Sequence, residues 1–400
     1  MPGVREGSTK PENCLKVVLA SHGDSLGGGA ERSLLELAVA LKEDGRVDPV
    51  VTVPRDGALA AALRAKSIRT RVMPTSRWVC APFRGSALPR ALVGRSRQAL
   101  LIALHTRRWV QLLRAERPDV VLTSTATIPM PALASAAVGI PHVWWLHEFV
   151  TKDHGFRYLV GEPLSQRSIG WLSKVVVANS KAVWDHFSPP IRSEKMRLIY
   201  YGIDGFDATP NRIDLPTLRV LLLGRQTPSK GQELALYAAS ILKGDQIQVH
   251  FRLVGPIDAA YRDVLQGLAS KLGISDIVEI VDTSMRPHDE FAWANVVLMC
   301  SQNEAFGRVT LEALKSGRPV IGTRSAGTAE LISDGVNGLL FEPGNPHELA
   351  SALRRLASKR DQLAVMSENA RVGTQDRFTI ESEVGAFVDV ISAAAARGRD

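Results

Sequence analysis

Short apolar runs alternate with amphipathic stretches along most of this chain of 400 residues. The first run, KVVLAS at 16–21, predicts a buried strand, and the leucines and alanines that recur three and four residues apart from position 34 onward predict a helix after it. Further strands are predicted at 49–53, 120–123, 143–146, 175–178 and 198–200, with helical runs between them. Strands that alternate with helices indicate a mostly parallel sheet with helices on both faces.

The pattern is interrupted at 204–217, DGFDATPNRIDLPT, where Gly, Pro, Asn and Asp replace the periodic apolar positions. Such a stretch is typical of a linker between domains. The pattern then resumes with a strand at 219–223, a helix at 233–242, and strands at 250–254, 278–281, 296–299 and 319–322. The sequence therefore predicts an α/β protein with two doubly wound domains, at 1–203 and 218–375, and a C-terminal helix at 376–400 that packs back on the first domain. Residues 1–13 are polar and are predicted to be disordered.

Composition and cysteine usage narrow the class of protein. A hydrophobic content of 45% fits a soluble globular enzyme of two or three domains. Cys14, Cys80 and Cys300 lie far apart and match no metal or redox spacing, which favours the reducing cytoplasm. The apolar run at 17–20 is too short for a signal peptide. The segment 120–146 has no charged residue, but its three prolines divide it better into a strand, a helix and a strand than into one membrane span.

The formal net charge of +8 is unevenly distributed. Between Gly57 and Ala115 there are twelve Lys or Arg and no Asp or Glu, with Trp78, Phe83 and Trp109 among them. Such a block favours an anionic partner, which would be a membrane surface, a phosphorylated lipid or a nucleic acid. The chain has no nucleic-acid-binding motif, so nucleic acid is the least favoured partner. A solvated, arginine-rich helical face is the structural alternative, and the sequence leaves both open.

The stretch SQNEAFGRVTLE at 301–312 carries the main chemical signal. It follows an apolar strand, turns at Gly307 and leads into a helix, so free backbone N–H groups and the positive end of a helix dipole would face a ligand. Glu304 and Glu312 bracket this turn with seven residues between them. Because carboxylates are poor phosphate ligands, their expected partners are hydroxyl groups, as a sugar and a ribose offer. One surface glutamate and one solvated helix glutamate are the alternative.

Two further stretches have the features of anion sites. Gly27, Gly28 and Gly29 lie at the first strand-to-helix turn, where a backbone without Cβ atoms can approach a phosphate. They do not form a GxGxxG fingerprint, which disfavours a nicotinamide oxidoreductase. GRQTPSKG at 224–231 places Arg225 and Lys230 after the first strand of the second half, where an open α/β sheet binds its ligands. A bidentate Arg and a mobile Lys together suit a diphosphate, although either residue alone could be a solvated loop charge.

These motifs resemble the retaining glycosyltransferases of family 4. The resemblance lies in GRQTPSKG, EAFGRVTLEALKSGRPVIG and SAGTAELISDGVNGLLFEPG, and in the N-terminal stretches GGGAERSLLELAVAL, WWLHE, VVANS and RLIYYGID. It covers nearly the whole chain and is weakest over residues 54–118. It implies the GT-B fold, two Rossmann-like domains that face each other across a cleft. Tyr201 and Ala326 depart from the family pattern, which often has Asn and Gly at these positions.

The resemblance also implies an activity and a role for each candidate residue. A sugar would pass from a nucleotide-diphospho-sugar to an anionic or lipid-linked glycan acceptor, in envelope glycan or glycolipid synthesis, at the cytoplasmic side of a membrane. Glu304 would bind the donor sugar and Glu312 the ribose, while His147 would position groups near the scissile bond. Residues 281–285 would wall the nucleobase. The implied catalytic residues are Glu304, His147, Arg225 and Lys230, and the implied donor-binding residues are Gly28, Gly29, Arg225, Lys230, Phe306, Gly307, Arg308 and Glu312.

The expected chemistry needs neither a metal nor a cofactor. Fixed cations and helix N-termini can neutralise a departing diphosphate, and a phosphate oxygen of that leaving group can take the acceptor proton. A glycosidase is disfavoured because Glu304 and Glu312 would lie on the order of 10 Å or more apart on a turn and a helix. Three alternatives remain open: a nucleotide-sugar epimerase or a sugar phosphorylase on the same fold, and a non-catalytic binding subunit of a transferase complex.

Overall fold

Two parallel sheets form the framework of the structure, which is a computed structural model. It describes residues 14–81, 88–153, 155–206, 210–282 and 286–396, and the side chains of residues 88–93 are not described. The strands of the first half are β1 (Leu15–Ala20), β2 (Val47–Val53), β3 (Arg69–Val72), β4 (Val79–Cys80), β5 (Val120–Thr123), β6 (His142–Leu146), β7 (Arg157–Tyr158), β8 (Val175–Ala178) and β9 (Met196–Leu198). Seven of them make a sheet in the order β3-β2-β1-β5-β6-β8-β9, in which every neighbouring pair is parallel. The short strands β4 and β7 form a separate antiparallel pair.

Helices cover this first sheet because each has one apolar face. They are α1 (Gly29–Asp44), α2 (Ala58–Ala65), α3 (Leu88–Glu116), α4 (Met130–Val138), α5 (Glu162–Leu172) and α6 (Lys181–Phe187). Leu34, Leu37 and Leu41 of α1 are buried, as their spacing predicted. The central strand β1 is fully buried at Val17, Val18 and Leu19, which is typical of a parallel sheet covered on both faces.

The second half repeats the architecture. Its strands are β10 (Leu218–Leu223), β11 (Val249–Val254), β12 (Val278–Val281), β13 (Val296–Met299), β14 (Val320–Thr323) and β15 (Gly338–Phe341), all parallel in the order β12-β11-β10-β13-β14-β15. Its helices are α7 (Gln232–Gly244), α8 (Ala259–Lys271), α9 (Pro287–Trp293), α10 (Arg308–Lys315), α11 (Ala326–Leu331), α12 (Pro346–Ser358), α13 (Arg360–Thr374) and α14 (Ile380–Ala396). The prediction of two doubly wound α/β units is therefore confirmed.

In both sheets the strand order reverses at one place, between β1 and β5 and between β10 and β13. At such a switch point the connections on either side run to opposite faces, so a crevice opens at the carboxyl ends of the strands. The glycine-rich turn, GRQTPSKG and the SQNEAFG turn follow β1, β10 and β13 respectively. The fold therefore brings the three sequence motifs to the two switch points.

Most predicted strands agree with the structure within a residue or two, and the differences have local causes. The strand expected at 198–200 is wrong in position, because β9 covers Met196–Leu198 and Tyr200 then turns to contact Glu330 of the second half. Four strands were not predicted. β3 is an exposed edge strand with alternating arginines, β4 and β7 have two residues each, and β15 is a four-residue run. The segment 120–146 folds into β5, α4 and β6, and no helix in the described ranges is long and apolar enough to cross a membrane.

The last helix and the connection between the halves meet at one buried carboxylate. α14 lies against α1, β5 and β6 of the first half, although it follows α13 in the chain. Gly202 N donates to Glu383 Oε2 at 2.9 Å, and a Cβ at Gly202 would lie 2.3 Å from the Thr379 carbonyl oxygen. Burial raises the pKa of Glu383 from 4.5 to about 8, since desolvation disfavours its ionised form. The domain limits inferred from the sequence stay a prediction.

This carboxylate leads to a prediction about stability and pH. In the unfolded chain Glu383 loses its proton near pH 4.5, whereas the folded protein keeps it to about pH 8. Stability from this group is therefore complete below pH 4.5 and falls as pH rises to 8, by at most about 1.4 kcal/mol per pH unit. Glu383→Gln keeps an uncharged side chain at every pH. The unfolding free energy of the variant minus that of the wild type should therefore increase from pH 5 to pH 8 in urea titrations, and a constant difference would contradict the assignment.

Candidate active site

The candidate site lies where β10 and β13 end beside each other. Lys230 follows β10 and Glu304 follows β13, and Lys230 Nζ lies 2.7 Å from Glu304 Oε2. Both side chains are partly exposed. Arg225 is exposed on the same loop as Lys230, and a Cβ at Gly27 would lie 3.7 Å from Arg225 Nη2. The structure thus brings together the two cations and one of the two glutamates singled out in the sequence, opposite the glycine-rich turn of the first half.

The turn after Glu304 leads directly into the start of a helix. Gly307 has a φ of 93°, a left-handed conformation that favours glycine, and α10 starts at the next residue. Phe306 is buried, and its ring lies 4.9 Å from the ring of Tyr201, edge to face. The aromatic contact anchors the turn to the first half. The amides that precede α10 are positioned by these two features.

Glu312 is buried, which excludes the alternative of a solvated helix glutamate. Its Oε1 accepts from Arg308 Nε at 2.8 Å, four residues earlier on α10. Burial raises the pKa of Glu312, and the Arg308 guanidinium opposes that shift. Arg308 also contacts the first half, where Nη1 and Nη2 each donate to Glu36 at 2.7 Å and Nη1 donates to Ser33 Oγ at 3.0 Å. The sequence patterns indicated the backbone of Arg308 and did not indicate Glu36.

His147 occupies a buried position at the end of β6. Its Nε2 is 2.7 Å from Ser124 Oγ, and its Nδ1 is hydrogen-bonded to the hydroxyl of Tyr201. The rings of His147 and Tyr201 are stacked with centroids 5.6 Å apart. Burial lowers the pKa of His147 to about 3, so the imidazole is neutral at pH 7. Tyr201, one of the two departures from the family pattern, is thus one of the two residues that hold His147.

The glycine-rich turn surrounds an internal carboxylate. Gly28 is the N-cap of α1, and Gly29 is its first residue. A Cβ at Gly23 or at Gly28 would lie 2.0 or 2.2 Å from a carboxylate oxygen of Glu31, so a larger residue at either position would displace the Glu31 side chain. His22 Nε2 lies 3.5 Å from Glu31 Oε1. Glu31 therefore offsets part of the positive end of the α1 dipole, and the expected role of Gly28 and Gly29 toward a phosphate stays a prediction.

The second departure from the family pattern lies beside the Glu304 turn. Ala326 has a φ of 45°, a left-handed conformation that costs a non-glycine residue about 1–2 kcal/mol. The next residue, Gly327, donates its N–H to the carbonyl oxygen of Glu304 at 2.9 Å. A Cβ at Gly327 would lie 2.4 Å from the carbonyl oxygen of Ala305. The start of α11 thus supports the Glu304 turn through the backbone, with some strain at Ala326.

Two more carboxylates near the site, one buried and one partly buried, were missed by sequence reasoning. Glu148 accepts from Thr125 Oγ1 at 2.5 Å and from Ala126 N at 2.8 Å, and burial raises its pKa to about 7. Glu330 of α11 accepts from Lys181 N at 2.8 Å and Ala182 N at 2.6 Å, which caps α6 from the other half. A charged residue at the end of the buried run WWLHE was the available signal for Glu148. No local signal marked Glu330.

The expected nucleobase wall is described only in part. Val281 ends β12, and its carbonyl oxygen accepts from Gln226 Nε2 at 2.9 Å. Gln226 also donates to the Gly255 carbonyl oxygen at 2.9 Å, so the ends of β10, β11 and β12 are tied together here. Residues 283–285 lie outside the described residues. The role of this wall therefore stays a prediction.

The basic block separates into two groups. Arg64, Arg69 and Arg71 form ion pairs of 2.8, 2.8 and 2.9 Å with Asp56, Asp48 and Glu116 at the borders of the block. Arg95, Arg97, Arg107 and Arg108 are exposed on α3, and within the described part of the chain none of these four has an ion-pair partner. Arg84 and the side chain of Arg90 fall outside the description. The four arginines on α3 therefore keep their charge for another molecule.

Apolar side chains lie on the same helix face as three of these arginines. Leu100 and Leu104 are 60% and 45% exposed, and steps of three and four residues align them with Arg97, Arg107 and Arg108. Near the start of α3, Arg95 lines a cavity of about 780 Å³ together with Phe156, Arg157 and Val160. This surface combines arginines with exposed leucines next to an amphipathic cavity.

Two family models match this chain, one for each half. The family model of Glycosyltransferase Family 4 matches residues 27–205, and the model of Glycosyl transferases group 1 matches residues 207–373. The D-inositol 3-phosphate glycosyltransferase of Thermobispora bispora is 33% identical over 174 residues, which are 41% of this chain and 41% of that protein. That of Streptomyces bingchenggensis is 33% identical over 222 residues, 52% of this chain and 47% of that protein. The matched stretches thus cover less than half of either relative.

Solved structures match over nearly the whole chain. The Anabaena protein HepE, determined in complex with UDP-glucose, superposes with a TM-score of 0.76 at 24% identity and covers 95% of this chain and 100% of its own. The sucrose-phosphate synthase of Thermosynechococcus elongatus superposes with a TM-score of 0.74 at 18% identity, over 96% and 100% of the two chains. At these identities the likeness concerns the fold, two α/β halves across a cleft.

Proposed function

The chain belongs to family 4 of the glycosyltransferases, with the GT-B fold, and we propose that it moves a sugar, with retention of configuration, from a nucleotide-diphospho-sugar to an anionic or lipid-linked glycan acceptor. The observation that carries the proposal is the meeting of Lys230, Glu304 and the start of α10 at one switch point, opposite the glycine-rich turn. Cations, a helix start and a carboxylate at one place match a ligand that contains both phosphate and hydroxyl groups.

Donor binding would replace the ion pair between Lys230 and Glu304 with contacts to the donor. Lys230 and Glu304 neutralise each other at 2.7 Å, and both are accessible to solvent. A diphosphate carries more negative charge than one carboxylate, so it would draw Lys230 away from Glu304. Glu304 could then accept hydrogen bonds from the hydroxyls of the sugar. Arg225, exposed on the same loop, would complete the grip on the diphosphate.

The transfer step follows from neutralising the leaving group. The bond between the sugar and the diphosphate breaks with its electron pair on the phosphate oxygen, which Arg225, Lys230 and the start of α10 stabilise. The acceptor oxygen bonds to the sugar on the same face, and its proton passes to the departing phosphate oxygen. His147 is neutral and held through both ring nitrogens, so its proposed role is to position the groups around it.

The acceptor would bind to the first half of the chain. The arginines and leucines of α3 suit the surface of an anionic membrane, where each Lys or Arg contributes about 1 kcal/mol and apolar side chains can insert. The two relatives named above are D-inositol 3-phosphate glycosyltransferases, and D-inositol 3-phosphate carries a phosphate and is therefore also anionic. The proposed location is the cytoplasmic face of a membrane, with peripheral association through α3.

The first test of this function is a panel of nucleotide-sugars that includes UDP-glucose. A true donor at 100 times its dissociation constant should raise the free energy of unfolding by about 2.7 kcal/mol. Arg225→Ala should lose most of this gain, whereas Lys243→Ala, at the far end of α7 and paired with Asp276, should keep it. Product analysis separates a transferase from an epimerase or a phosphorylase. A panel without any stabilising nucleotide-sugar would contradict the proposal.

A second prediction separates the two glutamates. Glu312→Gln should weaken binding of the nucleoside diphosphate about tenfold, because a hydrogen bond to a charged group contributes about 1.5–3 kcal/mol. Glu304→Gln should leave that affinity unchanged or slightly higher, since Lys230 loses a competing anion, and should lower turnover. Calorimetry with the nucleoside diphosphate and initial rates at saturating donor give the two readouts. Equal losses of affinity in both variants would show that the roles are not divided.

A third prediction concerns the face of α3. Replacing Arg95, Arg97, Arg107 and Arg108 by Gln should release the protein from vesicles of acidic lipid at low salt, while donor binding stays intact. The matched control replaces Arg262, Arg354, Arg355 and Arg371 of the second half, which changes the net charge by the same amount. Co-sedimentation at low and high salt measures both, because salt screens the attraction within about 8 Å. Equal sedimentation with acidic and neutral vesicles would exclude membrane docking through this face.

A further inference from the structure

Arg308 connects the two halves of the molecule through a two-pronged contact. Its Nη1 and Nη2 donate to the two carboxylate oxygens of Glu36 on α1, both at 2.7 Å. Ser33 Oγ, on the same side of α1, accepts from Nη1 at 3.0 Å. Because a guanidinium is planar and its N–H groups form a fixed fork, a bidentate contact of this kind sets the orientation of the whole group.

The remaining edge of the same guanidinium faces Glu312. Nε donates to Glu312 Oε1 at 2.8 Å, and the Glu312 side chain is only 5% exposed. A carboxylate at such a position is stable as an anion only when a well-oriented cation compensates for the lost hydration. The direction of the Nε–H bond is fixed once Glu36 holds the other end of the guanidinium. The position and charge of Glu312 thus depend on a residue of the opposite half.

We propose that Glu36 is a positioning residue for the donor, which sets Arg308 against Glu312 so that the affinity for the nucleotide depends on contact between the two halves. The inference rests on the proposed role of Glu312 toward the ribose. Nucleotide binding would then favour the contact between α1 and α10, and this contact would in turn strengthen nucleotide binding. Glu36 itself contacts Arg308 and is not required to touch the donor.

The molecule offers a matched control for this inference. Glu330 is also a carboxylate that joins the halves, but it caps α6 and does not contact Arg308 or Glu312. If Glu36 acted only by holding the halves together, the loss of Glu330 would have a similar effect on the nucleotide. If Glu36 acts through Arg308, only its own loss should change the affinity.

The experiment is a calorimetric titration of the full chain with UDP, GDP, ADP and TDP. For the diphosphate that binds the wild type most tightly, Glu36→Gln should weaken binding about tenfold, and Glu330→Gln should change it less than twofold. Ser33→Ala, which removes one of the contacts of Nη1, should give an intermediate loss. In steady-state assays with the matching nucleotide-sugar, Glu36→Gln should raise KM for the donor and leave kcat within about threefold.

A double variant distinguishes positioning from a general loss of structure. In the Glu312→Gln background, Glu36→Gln should cause no further loss of affinity, because its effect passes through Glu312. A full second tenfold loss in that background would overturn the inference, and so would equal losses in Glu36→Gln and Glu330→Gln. Unchanged affinity in both Glu36→Gln and Ser33→Ala would also overturn it. If the wild type bound none of the four diphosphates, the proposed function itself would fail, which is a different result.

Discussion

The contact between Tyr201 and its neighbours is the constraint on which the arrangement of the site depends. Ser124, His147 and Asn179 are the first residues after β5, β6 and β8, and they meet at this side chain. Asn179 Nδ2 donates to the Tyr201 hydroxyl at 3.0 Å, and the same hydroxyl contacts His147, which contacts Ser124. The Tyr201 ring lies against Phe306 of the opposite half. A buried hydroxyl needs these partners, so the ends of three strands and the Glu304 turn are held in one geometry.

Around this buried hydrogen-bonded cluster, the charged groups of the site pair with one another. Lys230 pairs with Glu304, and Arg308 pairs with both Glu36 and Glu312. Separating a buried ion pair such as Arg308 and Glu312 is costly unless a new partner replaces the lost one. A ligand that supplies phosphates and hydroxyls together can replace these partners, whereas a ligand with only one kind of group leaves a charge uncompensated. We therefore expect the paired groups to favour a nucleotide-sugar over its separate parts.

The sequence predicted the elements whose signal is local. Apolar runs such as Val120–Thr123 and Val175–Ala178 became strands with the same bounds, and Lys230 and Glu304 lie together because each follows a strand at the switch point. Contacts between the halves had no such signal. Glu36 lies 272 positions before Arg308, and nothing in the α1 pattern distinguishes it from other polar residues of that helix. The burial of His147 was not predicted either, because a polar residue after a strand can face solvent or a partner equally well.

The basic block shows that positive charges counted along a sequence are not all available to a partner. The structure separates the arginines that are paired within the protein from those that are exposed and, among the described residues, unpaired. Arg69 and Arg71 lie on the edge strand β3, where nearby carboxylates neutralise them. The arginines of α3 lie on a long helix whose outer face also exposes Leu100 and Leu104. Leucines on such a face are unfavourable in water, and arginines beside them are unfavourable in a purely apolar contact. The proposed anionic membrane surface would satisfy both, since it offers charge at the headgroups and an apolar layer beneath them.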